Sequence, residues 1–194
     1  MNNLDKEPLF FFYENSSELK ITPNSISHAY LAILNEDLNS AEAVFKKIDS
    51  PRAKWGTSFV QIIKGFLTMF PTYFGIRNFL EIDLNFLLKN NKIEYVEQCL
   101  GALKYLVEIN QETYKFVARA MLENNLYTSA LKYMDLSKEL YYNDPELHFM
   151  YAKYYSDVAK NYTEALFYVN ECLKLLPTYY PAQIMKQRIE EIGF

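Results

Sequence analysis

Glycine, histidine, arginine and cysteine are all scarce in this sequence, and each shortage removes a class of chemistry. The five glycines (Gly56, Gly65, Gly75, Gly101 and Gly193) form neither a phosphate-cradling loop nor a dinucleotide fingerprint. They are also too few for the many tight turns of an all-β fold. With His28 and His148 as the only histidines, a His-Glu-x-x-His zinc helix and every three-histidine metal site are excluded. The two cysteines, Cys99 and Cys172, stand far apart inside apolar runs and read as buried, reduced thiols. Arginine, the usual phosphate fork, occurs only at Arg52, Arg77, Arg119 and Arg188. The 20 basic residues are scattered among 24 acidic ones for a net charge of −4, so nucleic acid is not an expected partner.

Long apolar runs are missing as well. No stretch approaches the roughly 18 residues that a membrane-spanning helix needs, and the run Leu9 to Tyr13 is too short for a signal peptide. The expected location is therefore cytoplasmic, with no membrane partner. No metal and no cofactor are expected.

What is abundant is apolar and helical. Half the residues are hydrophobic and 16% are aromatic, enough for a well-filled core in a chain of 194 residues. The chain also resembles itself at intervals. Leu87-Leu88-Lys89-Asn90-Asn91-Lys92-Ile93 is echoed at an offset of 34 by Met121-Leu122-Glu123-Asn124-Asn125-Leu126-Tyr127. A third version, Val158-Ala159-Lys160-Asn161-Tyr162, follows at an offset of 35, with one residue added before the turn. Around these turns, Tyr114-x-x-Val117-Ala118-x-x-Met121 precedes Tyr127-x-x-Ala130-x-x-x-Met134. His148-x-x-Tyr151-Ala152-x-x-Tyr155 precedes Tyr162-x-x-Ala165-x-x-x-Val169, and Leu38-x-x-Ala41-x-x-x-Phe45 stands near the N-terminus. Two helix axes approach closely only where no bulky side chain intervenes, so an Ala in each helix lets the large neighbours interlock.

This pattern resembles the tetratricopeptide repeat, over roughly residues 25 to 49 and 76 to 192. The resemblance implies an all-α fold: a right-handed superhelix (α-solenoid) of antiparallel helix pairs, about ten helices with a C-terminal capping helix. The expected parts are a first pair at 25–49, an inserted helix at 53–70, repeats at 76–108, 111–140 and 145–176, and a cap at 179–192. Residues 1–24 are an N-terminal segment of unassigned structure. Leu84 and Val96 depart from the pattern, which prefers small residues there. Asp144-Pro145-Glu146 and Ser50-Pro51 read as helix starts, and Asn110 as a cap for the helix carrying Tyr114.

No local motif supports catalysis. His148 stands where the repeat prefers a large ring and reads as a packed core residue. Tyr151, Tyr155, Tyr162 and Tyr168 fit the repeat's own packing sites, and the carboxylate pairs Glu94/Glu97, Asp135/Glu139 and Glu190/Glu191 read as solvated faces. The resemblance implies that the first helix of each pair lines a concave binding groove. Counting turns from Ala118 puts Lys115, Phe116, Arg119 and Leu122 there, with Phe149, Met150, Lys153 and Ser156 as their equivalents one repeat later. Three cations beside apolar surface suit a protein or peptide segment that carries acids and a hydrophobic anchor. Some members of the family grip a C-terminal carboxylate with paired Lys and Asn; Arg119 stands at the Asn site here, so that specificity does not carry over. The expected function is a protein-interaction scaffold or adaptor. The alternatives are a ligand- or peptide-responsive regulator and, third, an enzyme with a site assembled across helices. Monomer and dimer both remain open, with the aromatic N-terminus and Trp55 as the surfaces suited to self-association.

Overall fold

The computed structural model describes residues 23–193, and among these there are ten α-helices, one π-helical turn and no strand. The helices are α1 (Ile26–Leu34), α2 (Leu38–Lys46), α3 (Pro51–Ile63), α4 (Tyr73–Lys89), α5 (Ile93–Ile109) and α6 (Thr113–Glu123). They continue as α7 (Tyr127–Leu140), α8 (Pro145–Lys153), α9 (Tyr162–Leu175) and α10 (Tyr180–Glu191), with the π-helix at Tyr154–Val158 running on from α8. The chain divides into two units, one ending at Tyr127 and the other starting at Thr128. The N-terminal aromatic run Phe10 to Tyr13 lies outside the described residues.

In the first unit, α1 packs on α2, α2 on α3, α4 on α5, and α6 on both α4 and α5. Small residues set these approaches. Ala29, Ala32 and Ala41 are buried where α1 meets α2, and a Cβ added at Gly56 of α3 would fall 2.5 Å from the Phe45 ring of α2. Even so, α4 and α5 pack although Leu84 and Val96 replace small residues; both are buried.

The same reversal ends three of these helices. Glu36, Asn91 and Asn125 each adopt a left-handed conformation, with φ of 65°, 55° and 59°. After each, the next N–H reaches back five residues: Asp37 to the Ala32 carbonyl, Lys92 to Leu87 and Leu126 to Met121, all at 2.9 Å. This is the Schellman arrangement, which satisfies the last carbonyls of a helix and turns the chain. Asparagine tolerates the left-handed region better than most residues, which accounts for the second Asn of each Asn-Asn pair.

Three expectations are corrected. The helix expected at 53–70 stops at Ile63, because Gly65 turns left-handed (φ 79°) and the buried Gln61 side chain organises the connection. Gln61 Oε1 accepts from the backbone N–H groups of Thr68 and Met69, both at 3.0 Å, so Phe66 and Phe70 sit on an exposed loop. Asn110 does not cap α6: its Oδ1 accepts from the Glu112 N–H at 2.9 Å, and the helix begins after Glu112 with no side-chain cap. Trp55 is 2% exposed and belongs to the core, so it offers no surface for self-association. The two starts at Ser50 and Asp144 behave as expected. Ser50 accepts from Ala53 N–H, and Asp144 accepts from the N–H groups of Glu146 and Leu147.

Trp55 is held by the polar centre of the first unit. Asp83, fully buried on α4, accepts from Arg52 Nη2 at 2.5 Å, Trp55 Nε1 at 2.5 Å and Tyr30 Oη at 2.9 Å. Arginine and indole N–H groups can only donate, so the ionised carboxylate is the form that suits these partners. The Arg52 guanidinium also lies over the Tyr30 and Phe79 rings, at 4.9 and 4.6 Å.

In the second unit α9 packs on α8, on the π turn and on α10, with Ala152, Ala165 and Ala182 buried. The extra residue foreseen in the third turn has a physical home. The left-handed residue after α8 is Lys160 (φ 53°), 35 positions beyond Asn125 rather than 34, and the π-helix at Tyr154–Val158 absorbs the difference. Its wider turn carries the bond from the Ala159 N–H to the Tyr154 carbonyl at 3.0 Å.

Replacing one partner of the buried Arg52–Asp83 pair leaves an uncompensated charge. Asp83→Ala is expected to lower unfolding free energy by about 3–5 kcal/mol, whereas the double change Arg52→Met with Asp83→Leu recovers most of it. Urea denaturation of the three proteins measures this; equal losses in the single and double variants would contradict it.

Candidate functional site

The eight residues expected to line a groove fall in both units, and their surroundings differ. On α6, Lys115 is 4% exposed and pairs with Glu112 at 3.3 Å, while Phe116 is 3% exposed. Arg119 is half-buried, pairs through Nε with Glu81 at 3.3 Å, and lies over the Phe116 ring at 5.5 Å. Leu122 is half-buried. In the first unit, then, both cations are engaged by neighbouring acids and the apolar positions are largely covered. The cause is local: Glu112 lies one turn before Lys115, and α4, packed on α6, presents Glu81 to Arg119.

The second unit holds an open groove between the α8–π segment and α10, with a volume of about 960 Å³. Phe149, Lys153 and Ser156 of the expected set line it, whereas Met150 turns into the core. The opposite wall comes from α10, which reading the sequence had assigned to capping alone. Tyr180, Ile184, Arg188 and Ile192 recur every four residues and therefore share one face. That spacing is visible in the sequence and is the signal that could have located the wall. Three of these side chains leave apolar surface open: Tyr180 at 69%, Ile192 at 58% and Ile184 at 37% exposure. Phe149 is fixed by an edge-to-face contact with Tyr179, ring centroids 5.2 Å apart.

The charges around the groove are Lys153, Lys160 and Arg188, against Asp157 and Glu191. All five are exposed, and no hydrogen bond or ion pair engages the three cations among the described residues. The result is an apolar trough rimmed by unengaged charge with an excess of one cation. The two thiols lie elsewhere and are free and buried. Burial raises the Cys99 thiol far above its ordinary range and pushes Cys172 up to about 11.

Beneath the groove lies an aromatic cluster. Tyr151 stacks on Tyr168 at 4.7 Å and Tyr155 on Tyr168 at 5.6 Å. Tyr151 Oη donates to Asp135 at 2.5 Å, and burial raises its phenol above the usual tyrosine range. These rings are packing elements, as the sequence suggests. No helix among the described residues is long and apolar enough to cross a membrane. No family model, no curated protein and no solved structure matches this chain.

Because Lys115 is enclosed, reversing its charge tests packing and not surface binding. Lys115→Glu is expected to cost about 3–5 kcal/mol, as for a broken buried pair. Guanidinium denaturation would show it, and an unchanged midpoint would place Lys115 at the surface after all.

Proposed function

We propose that this protein is a tetratricopeptide-like scaffold that docks an extended or helical protein segment in the groove of its second unit. The observation that carries the reading is the pairing of exposed apolar wall, from Tyr180, Ile184 and Ile192, with three unengaged cations, Lys153, Lys160 and Arg188. Exposed apolar surface rimmed by polar residues marks interaction sites, and the groove is large enough for one or two bulky side chains of a partner. The occupant this chemistry suits is a segment with an apolar anchor flanked by acids. Asp157 and Glu191 temper the charge preference and set the register of those acids.

The tetratricopeptide-like reading is supported by the recurring reversal at Asn91 and Asn125 and by the alanines at the helix crossings. An adaptor, not an enzyme, is the activity that follows.

Labelled peptides carrying one aromatic anchor with flanking acids, and the same peptides with flanking lysines, provide the test. The acidic set is expected to bind with an affinity that falls as salt rises, and to weaken about tenfold in the triple variant Lys153→Glu, Lys160→Glu, Arg188→Glu. Fluorescence anisotropy reads both effects. Equal binding of the acidic and lysine-flanked sets would refute the proposed preference.

A further inference from the structure

His148 stands on α8 next to the groove residue Phe149, but points into the unit. Its side chain is 0% exposed, and neither Nδ1 nor Nε2 makes a hydrogen bond among the described residues. Aromatic rings enclose it. Tyr142 meets it edge-on with centroids 4.8 Å apart, and Tyr168 of α9 stacks at 6.0 Å. A cation already occupies the neighbourhood: Lys138 of α7 holds its ammonium 5.6, 5.4 and 5.4 Å from the Tyr142, Tyr151 and Tyr168 ring centroids. The acids that face this box are committed elsewhere. Glu171 of α9 accepts from Tyr142 Oη and pairs with Lys174, Asp135 of α7 accepts from Tyr151 Oη, and Asp144 caps α8.

A neutral imidazole is tolerated in such a box, whereas an imidazolium needs two acceptors and only the Tyr142 backbone carbonyl is near enough to serve as one. We propose that His148 is a proton-operated latch. While it is neutral, α8 stays docked on α9 and presents Phe149, Lys153 and Ser156 to the groove; protonation draws the ring toward water, loosens α8 and releases the bound segment. The release rests on the groove being a docking site. The latch itself does not.

Burial lowers the His148 pKa below its ordinary 6.5 and Lys138 adds to this, while the Tyr142 backbone, Glu171 and Asp144 pull the other way. Above the ordinary value the ring is neutral in the docked and loosened forms alike, and no stability is lost. As pH falls through that value the loosened form takes up a proton that the docked form refuses, so stability drops until the lowered pKa is passed.

With only two histidines, NMR resolves the His148 ring in the unmodified protein. Its titration is expected below the ordinary imidazole value of 6.5, and a midpoint at or above that value overturns the latch. Hydrogen-exchange protection of residues 145–175 is expected to fall about tenfold between about pH 7.5 and about pH 5 in the wild type but not in His148→Phe. The same loss in His148→Phe overturns it as well. The acid-flanked anchor peptide, measured at both pH values, separates the two readings. Peptide released at the lower pH by wild type and held by His148→Phe supports both. Absence of binding at either pH, with the exchange difference intact, removes the groove and keeps the latch.

Discussion

Asp83 sits where no water reaches, and the first unit is organised around that fact. A buried carboxylate is tolerable only with donors at hand, and here they arrive from separate parts of the chain: Tyr30 from α1, Arg52 and Trp55 from α3. The requirement fixes more than distance. Arg52 must reach Asp83 while lying over Tyr30 and Phe79, which leaves α3 one way to settle between α1 and α4. Apolar packing alone tolerates a helix that slides by a turn; a shared carboxylate with directional donors does not. Replacing such a pair with well-packed apolar residues is often neutral for stability, so its contribution lies in selecting one arrangement.

The elements best read from the sequence are those written in local chemistry. Asn90-Asn91 and Asn124-Asn125 announce reversals because a left-handed residue must follow each helix, and Ser50-Pro51 and Asp144-Pro145 announce starts because orphaned N–H groups need an acceptor. The offset of 35 also carried real information, since the added residue appears as a π turn. What stayed hidden depends on contacts between distant positions. The apolar run past Ile63 looks helical by periodicity, yet Gln61 folds it back by bonding Thr68 and Met69. The burial of Lys115 and the engagement of Arg119 by Glu81 are likewise invisible to turn counting, which gives the face of a helix but not what covers it. Three of the eight expected groove residues, Lys115, Phe116 and Met150, are therefore buried by contacts that turn counting does not register, and the α10 wall needs a cap that has a second role.

Charge is handled in two ways. Three cations of the first unit are matched at or near its core: Arg52 to Asp83, Arg119 to Glu81, Lys64 to Glu42 at 2.6 Å. Glu42, gripped by Lys46 and Lys64, has its carboxyl lowered to about 2. In the groove of the second unit, Lys153, Lys160 and Arg188 remain unmatched beside exposed apolar side chains. Pairing stabilises little at a surface, so unmatched cations cost the fold almost nothing. Their presence beside open aromatic surface is what separates the groove from the other faces of these helices.

The π turn joins the fold to that groove. Each residue of an α-helix advances the next by about 100°, so one extra residue within a helix rotates everything after it by that amount unless the helix widens locally. The chain widens at Tyr154–Val158, between Lys153 and Lys160, and the segment so displaced supplies Ser156 and Asp157 to the groove. Had the third turn kept the spacing of the second, Lys160 would follow one position sooner and the wall opposite α10 would present a different side of the helix. Tyr151 and Tyr155, which flank the start of the widened turn, still stack on Tyr168. The core therefore keeps its register through the insertion, and the change in facing is delivered to the surface where the partner is proposed to dock.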